Sequence, residues 1–236
     1  GRSLVGLIDK LNPHLFIDCH TTNGSRHRYQ LTYDVPHNPT APAALKKFLR
    51  NDMMPAITRD LEKKGISTFY YGNFSRDQLA WKTYGHQPRY STEYVGLRGR
   101  LSILSEAYSY ISYKERIQAT AAFVTQCLDY VDDHRNKVIQ LLDGIQQQSR
   151  HNSTKAQLSL GAEVRPFKEK FKLKGYDGSS DTPKDHDVLF FGDYASTQSK
   201  TFPFGYVLSA QEGRVVDRLL MHGIKVFSLT ATHQTK

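Results

Sequence analysis

Two short segments, far apart in the chain, place side chains capable of metal or acid–base chemistry at the ends of apolar runs. The first is FIDCHTTNGS, residues 16–25, in which Asp18 and His20 are two positions apart. Residues two apart in a strand share a face, so both side chains point the same way where the run meets a polar loop. Open α/β sheets carry sites at the carboxyl ends of their strands. His20 is therefore a candidate metal ligand, although a single histidine also has a structural interpretation, because zinc needs several converging ligands.

The second segment is LSILSEAYSY, residues 101–110, in which an apolar strand delivers Glu106 to its end. A carboxylate in such a place is costly unless it is paired, hydrogen-bonded or functional. Beside a metal-bound water, a Glu with a raised pKa is a natural general base. The alternative interpretation of Glu106 is a structural ion pair or a helix cap.

The elements that position these residues follow from hydrophobic periodicity. We predict, in order, a helix ending at Leu11, strands in HLFIDCH and YQLTYDVP, a helix from about Pro42 to Lys64, a strand in STFYYGNF, a long loop from Leu79 to Arg100 and a strand in RLSILSEAYSY. Strands that alternate with helices favour an α/β fold, a mixed sheet flanked by helices.

The rest of the chain predicts a domain boundary. Ser112 and Glu115 have capping-box spacing, and the helix that they open is expected to end near Gly144. The polar stretch QQQSRHNSTKAQ, residues 146–157, then has the composition of a linker. We predict a catalytic-type domain at 1–148 and a small α+β domain at 155–236.

The predicted small domain is built from short elements. The segments EVRPFKEKFKLKGYDG and HDVLFFGDY have the alternation of strands, and IKVFSLT is predicted as a last strand. Ser209 and Glu212 have the spacing of a second capping box, which predicts a helix ending at His222-Gly223.

Taken together, the two chemical segments resemble the zinc carboxypeptidase family, the carboxypeptidase A-like metallopeptidases. The resemblance spans roughly residues 4–145, and RYSTEYVGLRGRLSILSEAYSY is its most specific run. It implies a partial zinc-carboxypeptidase fold with Zn²⁺ as cofactor. It also implies that His20 is the third zinc ligand and that Glu106 activates the zinc-bound water and passes its proton to the leaving amine.

The segment YGHQPRYSTEYVGLRGR, residues 84–100, resembles the substrate loop of that family, which contributes a mobile tyrosine. Tyr84, Tyr90 and Tyr94 are all candidates for it. Arg89 is a candidate for binding an anionic substrate group through bidentate contacts. Surface or interstrand pairing is the alternative role of such an arginine.

The sequence also departs from the family. The first two zinc ligands of the family come from an H-x-x-E motif, yet none of the ten histidines has a Glu three residues later. The Asn-Arg pair that grips the substrate carboxylate is also missing, and in the family both elements precede the His20 strand. We therefore expect the chain to be an inactive fragment that holds one ligand, with the other ligands upstream. A degenerate relative with one residual ligand would bind zinc weakly.

The composition narrows the class of protein further. Hydrophobic residues make up 39% and charged residues 23% of the chain, a profile typical of soluble globular proteins. No apolar run approaches the length of a membrane span. The formal charge of +9 raises the question of nucleic acid, but Lys and Arg are spread along the chain without a recognisable motif, so we predict no such partner.

Three functions are compatible with these observations. The first is hydrolysis of an amide bond at a peptide C-terminus. The second is deacylation of a small acylated amino acid, because HTTNGS also resembles the His-Thr segment of the aspartoacylase and desuccinylase branch. The third is a noncatalytic binding module that kept the fold and lost the metal.

Overall fold

The computed structural model of the protein describes residues 2–22, 24–151 and 156–229. The helices are α1 (Arg2–Leu11), α2 (Ala43–Lys47), α3 (Met54–Lys63), α4 (Ser91–Leu97), α5 (Tyr113–Asp133), α6 (Arg135–His151) and α7 (Gly213–Met221). The strands are β1 (Leu15–Thr21), β2 (Leu31–Asp34), β3 (Thr68–Tyr70), β4 (Asn73–Phe74), β5 (Ala80–Lys82), β6 (Leu101–Ala107), β7 (Gln157–Tyr176) and β8 (Pro183–Thr201). A turn of π-helix, Phe48–Met53, joins α2 to α3.

The chain divides into two compact units, and these differ from the predicted domains 1–148 and 155–236. One unit spans 14–202, and the other combines 1–13 with 203–236. The hairpin of β7 and β8 belongs to the larger unit because β8 pairs with β5 in a parallel register. The boundary was predicted from the polar composition of residues 146–157. Composition does not reveal which distant segments pair as strands.

The first sheet of the larger unit has the strand order β1-β6-β2-β3. Strand β6 runs parallel to β1 and antiparallel to β2, whereas β3 runs parallel to β2. The sheet is therefore mixed and carries helices, which confirms the predicted α/β class at that level.

One face of this sheet is apolar and carries the main core. Strand residues such as Leu31, Leu101 and Ile103 are fully buried there against helical residues that include Phe123 and Leu61. Removing this much apolar surface from water is the dominant stabilising term of such a unit.

The helical predictions on this face are largely confirmed. The predicted helix from Pro42 to Lys64 is present, and Ser112 and Glu115 form a complete capping box at the start of α5. Helix α6, however, continues to His151, so the linker prediction is wrong for 146–151. The remainder of that prediction includes residues 152–155, which lie outside the described residues.

The second sheet has the strand order β4-β5-β8-β7 and its own aromatic core. Trp81 of β5 and Phe190 of β8 are fully buried in this core, together with Leu173 of β7. The segments predicted as strands in 163–178 and 186–194 are confirmed as parts of β7 and β8, which are longer than expected.

The smaller unit contains α1 and α7. Within the described chain, α7 begins at Gly213 without a side-chain cap, so the predicted capping box of Ser209 and Glu212 does not form. The backbone N–H of Glu212 instead donates to the carbonyl of Ser209 in a turn. The described residues 224–229 of the predicted last strand are irregular, while Thr230 lies outside the described residues.

No helix within 2–22, 24–151 and 156–229 combines the length and apolar character that crossing a bilayer requires.

Candidate functional site

The second face of the first sheet is polar at the carboxyl ends of β1 and β6. His20 and Glu106 are direct partners in the parallel register of these neighbouring strands, so their side chains share this face. On the other side of β6, Thr32 of β2 is the antiparallel partner of Glu106. The structure thus brings together the two residues that the sequence singled out, although 85 positions separate them along the chain.

Asp18 holds the imidazole of His20. The Nε2 atom of His20 lies 2.9 Å from Oδ1 of Asp18, and the side chains are 49% and 29% exposed. A carboxylate is an acceptor only, so its place beside Nε2 favours the tautomer with the proton on Nε2 and the lone pair on Nδ1. A carboxylate behind a histidine is the usual arrangement that orients an imidazole toward a metal.

Glu106 is 8% exposed, and its pKa is raised from 4.5 to about 7. Desolvation by burial is the largest cause of the raised pKa; His20 lowers the pKa and Asp18 raises it. A carboxyl group with this pKa exists in both protonation states near neutral pH. It can therefore accept and return a proton, which is the requirement for general acid–base catalysis.

Helix α4 lies over this polar face, where the sequence predicted a loop. The prediction of a loop from Leu79 to Arg100 is wrong for β5 and for α4. The hydroxyl of Ser91, the first residue of α4, donates to Oδ2 of Asp18. The hydroxyl of Ser102 on β6 donates to the carbonyl of Thr92 at 2.7 Å, so two bonds tie the start of α4 to the sheet.

A fully buried carboxylate, Glu93, anchors α4 on its other side. Its Oε1 and Oε2 atoms accept the backbone N–H of His37 at 2.9 and 3.1 Å, and Oε2 also accepts the N–H of Asn38 at 2.9 Å. The pKa of Glu93 is raised to about 7, first because of burial, although these N–H groups lower it. Gly96 completes the anchor, since a Cβ there would lie 2.4 Å from Cγ of Pro36.

The close approach at Gly96 gives a testable prediction. We expect Gly96→Ala to lower the free energy of unfolding by about 1–3 kcal/mol through overpacking against Pro36. The matched control is Gly144→Ala in α6, where a Cβ meets nothing within 4 Å and should stabilise the helix by about 0.5–1 kcal/mol. Urea denaturation of both variants checks the pair, and equal effects would contradict the close packing of α4.

Two of the predicted substrate residues pack in one row of rings with Tyr71, a residue close enough to Glu106 to be affected by its charge. The rings of Tyr84 and Tyr90 are 5.0 Å apart, and that of Tyr71 is 6.1 Å from Tyr84. The pKa of Tyr71 is raised, chiefly by burial and next by the charge of Glu106. Tyr71 was missed by the sequence analysis because it lies between two short strands rather than in the loop that resembles the family.

The other two substrate candidates make local contacts at the surface. Arg89 is exposed; its Nη2 atom donates to the hydroxyl of Tyr90 at 2.8 Å, and its guanidinium lies 4.8 Å from the centre of that ring. The hydroxyl of Tyr94, within α4, accepts from Nη1 of Arg98 at 2.9 Å. Arg89 and Tyr90 therefore form one unit, whereas Tyr94 pairs along its own helix.

A buried polar cluster next to α4 was not foreseen. Asp34 and His37 are fully buried side chains whose Oδ2 and Nε2 atoms lie 3.6 Å apart, and Thr83 donates to the same Oδ2 at 2.5 Å. Nη2 of Arg50, which the π-helical turn carries, lies 3.7 Å from Oδ1 of Asp34. Burial raises the pKa of Asp34 to about 7 and lowers that of His37 well below its usual value.

These residues supply only part of the ligand set that the predicted zinc site requires. His20, with Oδ1 of Asp18 beside Nε2, would offer Nδ1 as one ligand. A catalytic zinc site needs three protein ligands. Within the described residues, no group of three or more His, Cys, Asp or Glu side chains is arranged to hold a metal ion.

The site therefore consists of an imidazole beside a carboxylate, a buried carboxyl group with a pKa near 7 and a neighbouring tyrosine, Tyr71. No protein-family model, curated protein or solved structure matches the chain.

Proposed function

We propose that this chain supplies the His20 and Glu106 part of a metallocarboxypeptidase-like active site that cleaves an amide bond at a peptide C-terminus. The observation that carries the proposal is the pairing of His20 with Glu106 in neighbouring strands. The carboxyl group of Glu106 has a pKa of about 7, which suits it to proton transfer. His20 is proposed as one metal ligand. A catalytic zinc site would need further ligands of the H-x-x-E type, a motif that is absent from this sequence.

Glu106 is the proposed proton carrier. As the carboxylate it removes a proton from the water that attacks the scissile carbonyl, and as the acid it returns that proton to the leaving amine. A pKa near 7 suits both steps, because proton transfer in either direction is then nearly balanced at neutral pH. Zinc, when bound, supplies polarisation of the carbonyl and a lower pKa of the attacking water.

The residues around Glu106 support a peptide substrate. Tyr71, whose pKa responds to the charge of Glu106, offers aromatic surface beside the carboxyl group, and aromatic rings bind apolar side chains well. Tyr84 and Tyr90 pack in the same row of rings and are proposed to extend this surface. Arg89 is exposed beside Tyr90 and is proposed to bind the C-terminal carboxylate of the substrate, since a guanidinium matches a carboxylate in bidentate geometry.

The direct test is hydrolysis by the full-length protein that contains this sequence. We expect zinc-dependent release of C-terminal residues from a ladder of peptides and no release of acyl groups from N-acylated amino acids. Faster turnover of the acylated amino acids would replace the proposal by the deacylase alternative. Peptide binding without turnover in either assay would contradict catalysis and favour a binding module.

Replacing His20 gives a second test of the same site. We expect His20→Ala to weaken zinc binding by the full-length protein by about 10-fold or more, because an inner ligand is lost. Isothermal titration with Zn²⁺ measures the change. The control is His134→Ala, whose ring stacks on Tyr130 at 4.1 Å in a helical region and should leave zinc affinity unchanged. Equal zinc affinity of both variants would exclude His20 as a ligand.

A further inference from the structure

We infer that Ser91 is a positioning residue for His20, acting through Asp18. The inference rests on the proposed function in one respect, namely that the imidazole of His20 is a working group. The role assigned to Ser91 is to hold the carboxylate of Asp18 in the orientation that keeps Oδ1 beside Nε2 of His20, which favours the lone pair on Nδ1.

The three side chains form a continuous series of polar contacts. The Ser91 hydroxyl donates to Oδ2 of Asp18, and Oδ1 of the same carboxylate lies 2.9 Å from Nε2 of His20. Each carboxylate oxygen thus has its own neighbour. Rotation of the carboxylate would break the bond from Ser91 and move Oδ1 away from the imidazole, so Ser91 keeps Oδ1 beside the ring.

Solvent exposure makes the second anchor important. The side chains of Asp18 and His20 are 29% and 49% exposed, so water competes for the bond between them. An exposed pair of this kind contributes little by itself, because ordering two side chains offsets the gain. The bond from Ser91 orders one member of the pair in advance.

Ser91 can perform this role because further hydrogen bonds fix α4 to the sheet and to the segment after β2. Glu93, two residues later, is fully buried and accepts three bonds from the backbone N–H groups of His37 and Asn38. Ser102 of β6 donates to the carbonyl of Thr92 at 2.7 Å. The hydroxyl of Ser91 is therefore delivered to Asp18 by a helix that is fixed at two further points.

A purely structural role of Ser91 makes a different prediction. If the bond to Asp18 only fastened α4 to β1, then any lost bond between α4 and the sheet should disturb His20 equally. Ser102→Ala provides this matched control, because it removes a hydroxyl bond to the same turn of α4 without touching Asp18.

The experiment is long-range ¹H–¹⁵N NMR of the histidine rings in the metal-free full-length protein, with the His20 signals assigned from their loss in His20→Ala. In the parent protein we expect a protonated Nε2 with an observable, downfield Hε2. This Hε2 signal should be lost in Asp18→Ala and in Ser91→Ala, and it should return in Ser91→Thr. In Ser102→Ala it should persist.

Zinc affinity supplies the second readout. We expect the dissociation constant for Zn²⁺ to rise about 10-fold in Ser91→Ala, at the low end of the effect of removing a partner behind a metal ligand. An unchanged Hε2 signal in Ser91→Ala, or an equal loss in Ser102→Ala, would overturn the positioning role. The NMR readout needs neither metal nor substrate. The positioning role of Ser91 can therefore be confirmed even if zinc-dependent hydrolysis is not observed, and hydrolysis can be observed even if the positioning role is wrong.

Discussion

Replacing Glu106 by Gln is expected to lower the turnover number of the full-length protein by about 10²–10⁴-fold, the range attributed to a positioned general acid–base group. Gln has nearly the same shape but cannot take a proton from water. The zinc content should stay unchanged, because Glu106 is not proposed as a ligand. Peptide hydrolysis under saturating substrate, together with metal analysis of the purified variant, measures both effects.

The same substitution should stabilise the fold. Burial raises the pKa of Glu106 from 4.5 to about 7, so above pH 7 the native state holds an ionised group that the unfolded chain accommodates more easily. The native state binds the extra proton between these two pKa values, and stability therefore falls as pH rises through that window. At pH 8 the neutral Gln should raise the free energy of unfolding by about 1–3 kcal/mol, because solvent screening weakens the full effect of the raised pKa.

A loss of activity together with a gain of stability distinguishes a working carboxyl group from a structural one. If Glu106 made a structural ion pair, its removal would lower stability instead. The matched control is Glu169→Gln on the exposed surface of β7, which should alter neither turnover nor unfolding. Full activity in Glu106→Gln would remove the proposed mechanism.

The second large effect concerns Asp34, whose pKa is raised from 3.8 to about 7, mainly by burial. We expect Asp34→Asn to flatten the pH dependence of the free energy of unfolding. Between pH 3.8 and 7 the native state binds one more proton than the unfolded chain. The Asp34 contribution to the free energy of unfolding therefore falls as pH rises and becomes constant above pH 7. Relative to the variant, the parent should lose about 3 kcal/mol between pH 5 and pH 8.

The choice of Asn preserves the local hydrogen bonds. Its oxygen can still accept from the N–H of Val35, which lies 2.9 Å from Oδ1 of Asp34, and its amide can donate to the hydroxyl of Thr83. His37 keeps its lowered pKa in both proteins and opposes the carboxyl effect below about pH 6.5, so the difference between the two curves isolates Asp34. Urea denaturation from pH 5 to pH 8 measures these curves.

Glu93→Gln is the contrasting variant for this experiment. The pKa of Glu93 is also raised to about 7, but both of its oxygens accept backbone N–H groups. A Gln side chain would turn an N–H₂ group toward a donor, so it should destabilise the protein at every pH. Parallel pH curves for the parent protein and Asp34→Asn would contradict the raised pKa of Asp34.

The positions of His20 and Glu106 could be anticipated because their signals are local. Each residue ends an apolar strand, and strand ends meet at one edge of a sheet. The direct pairing of the two residues could not be derived from periodicity, because register depends on how β1 and β6 pair. The resemblance implied only that the two strand ends serve one site, and the structure adds that the two residues are partners in adjacent strands.

The sequence did not predict helix α4 over the site, because the residues that hold this helix in place are distant in sequence. Helix α4 contains the buried carboxylate Glu93 and the contact of Gly96 with Pro36, which look like loop features when the segment is considered alone. Their partners lie more than 50 residues earlier, at the end of β2. The only local signal for the buried cluster was Asp34 and His37 flanking a proline just after a strand.

The most direct test of the account is the titration of the Glu106 carboxyl carbon by ¹³C NMR, assigned by the loss of its signal in Glu106→Gln. We predict a midpoint near pH 7 that moves upward in His20→Ala, because His20 lowers the pKa of its strand neighbour. A midpoint near 4.5 that does not respond to the loss of His20 would show that the two groups do not form one site.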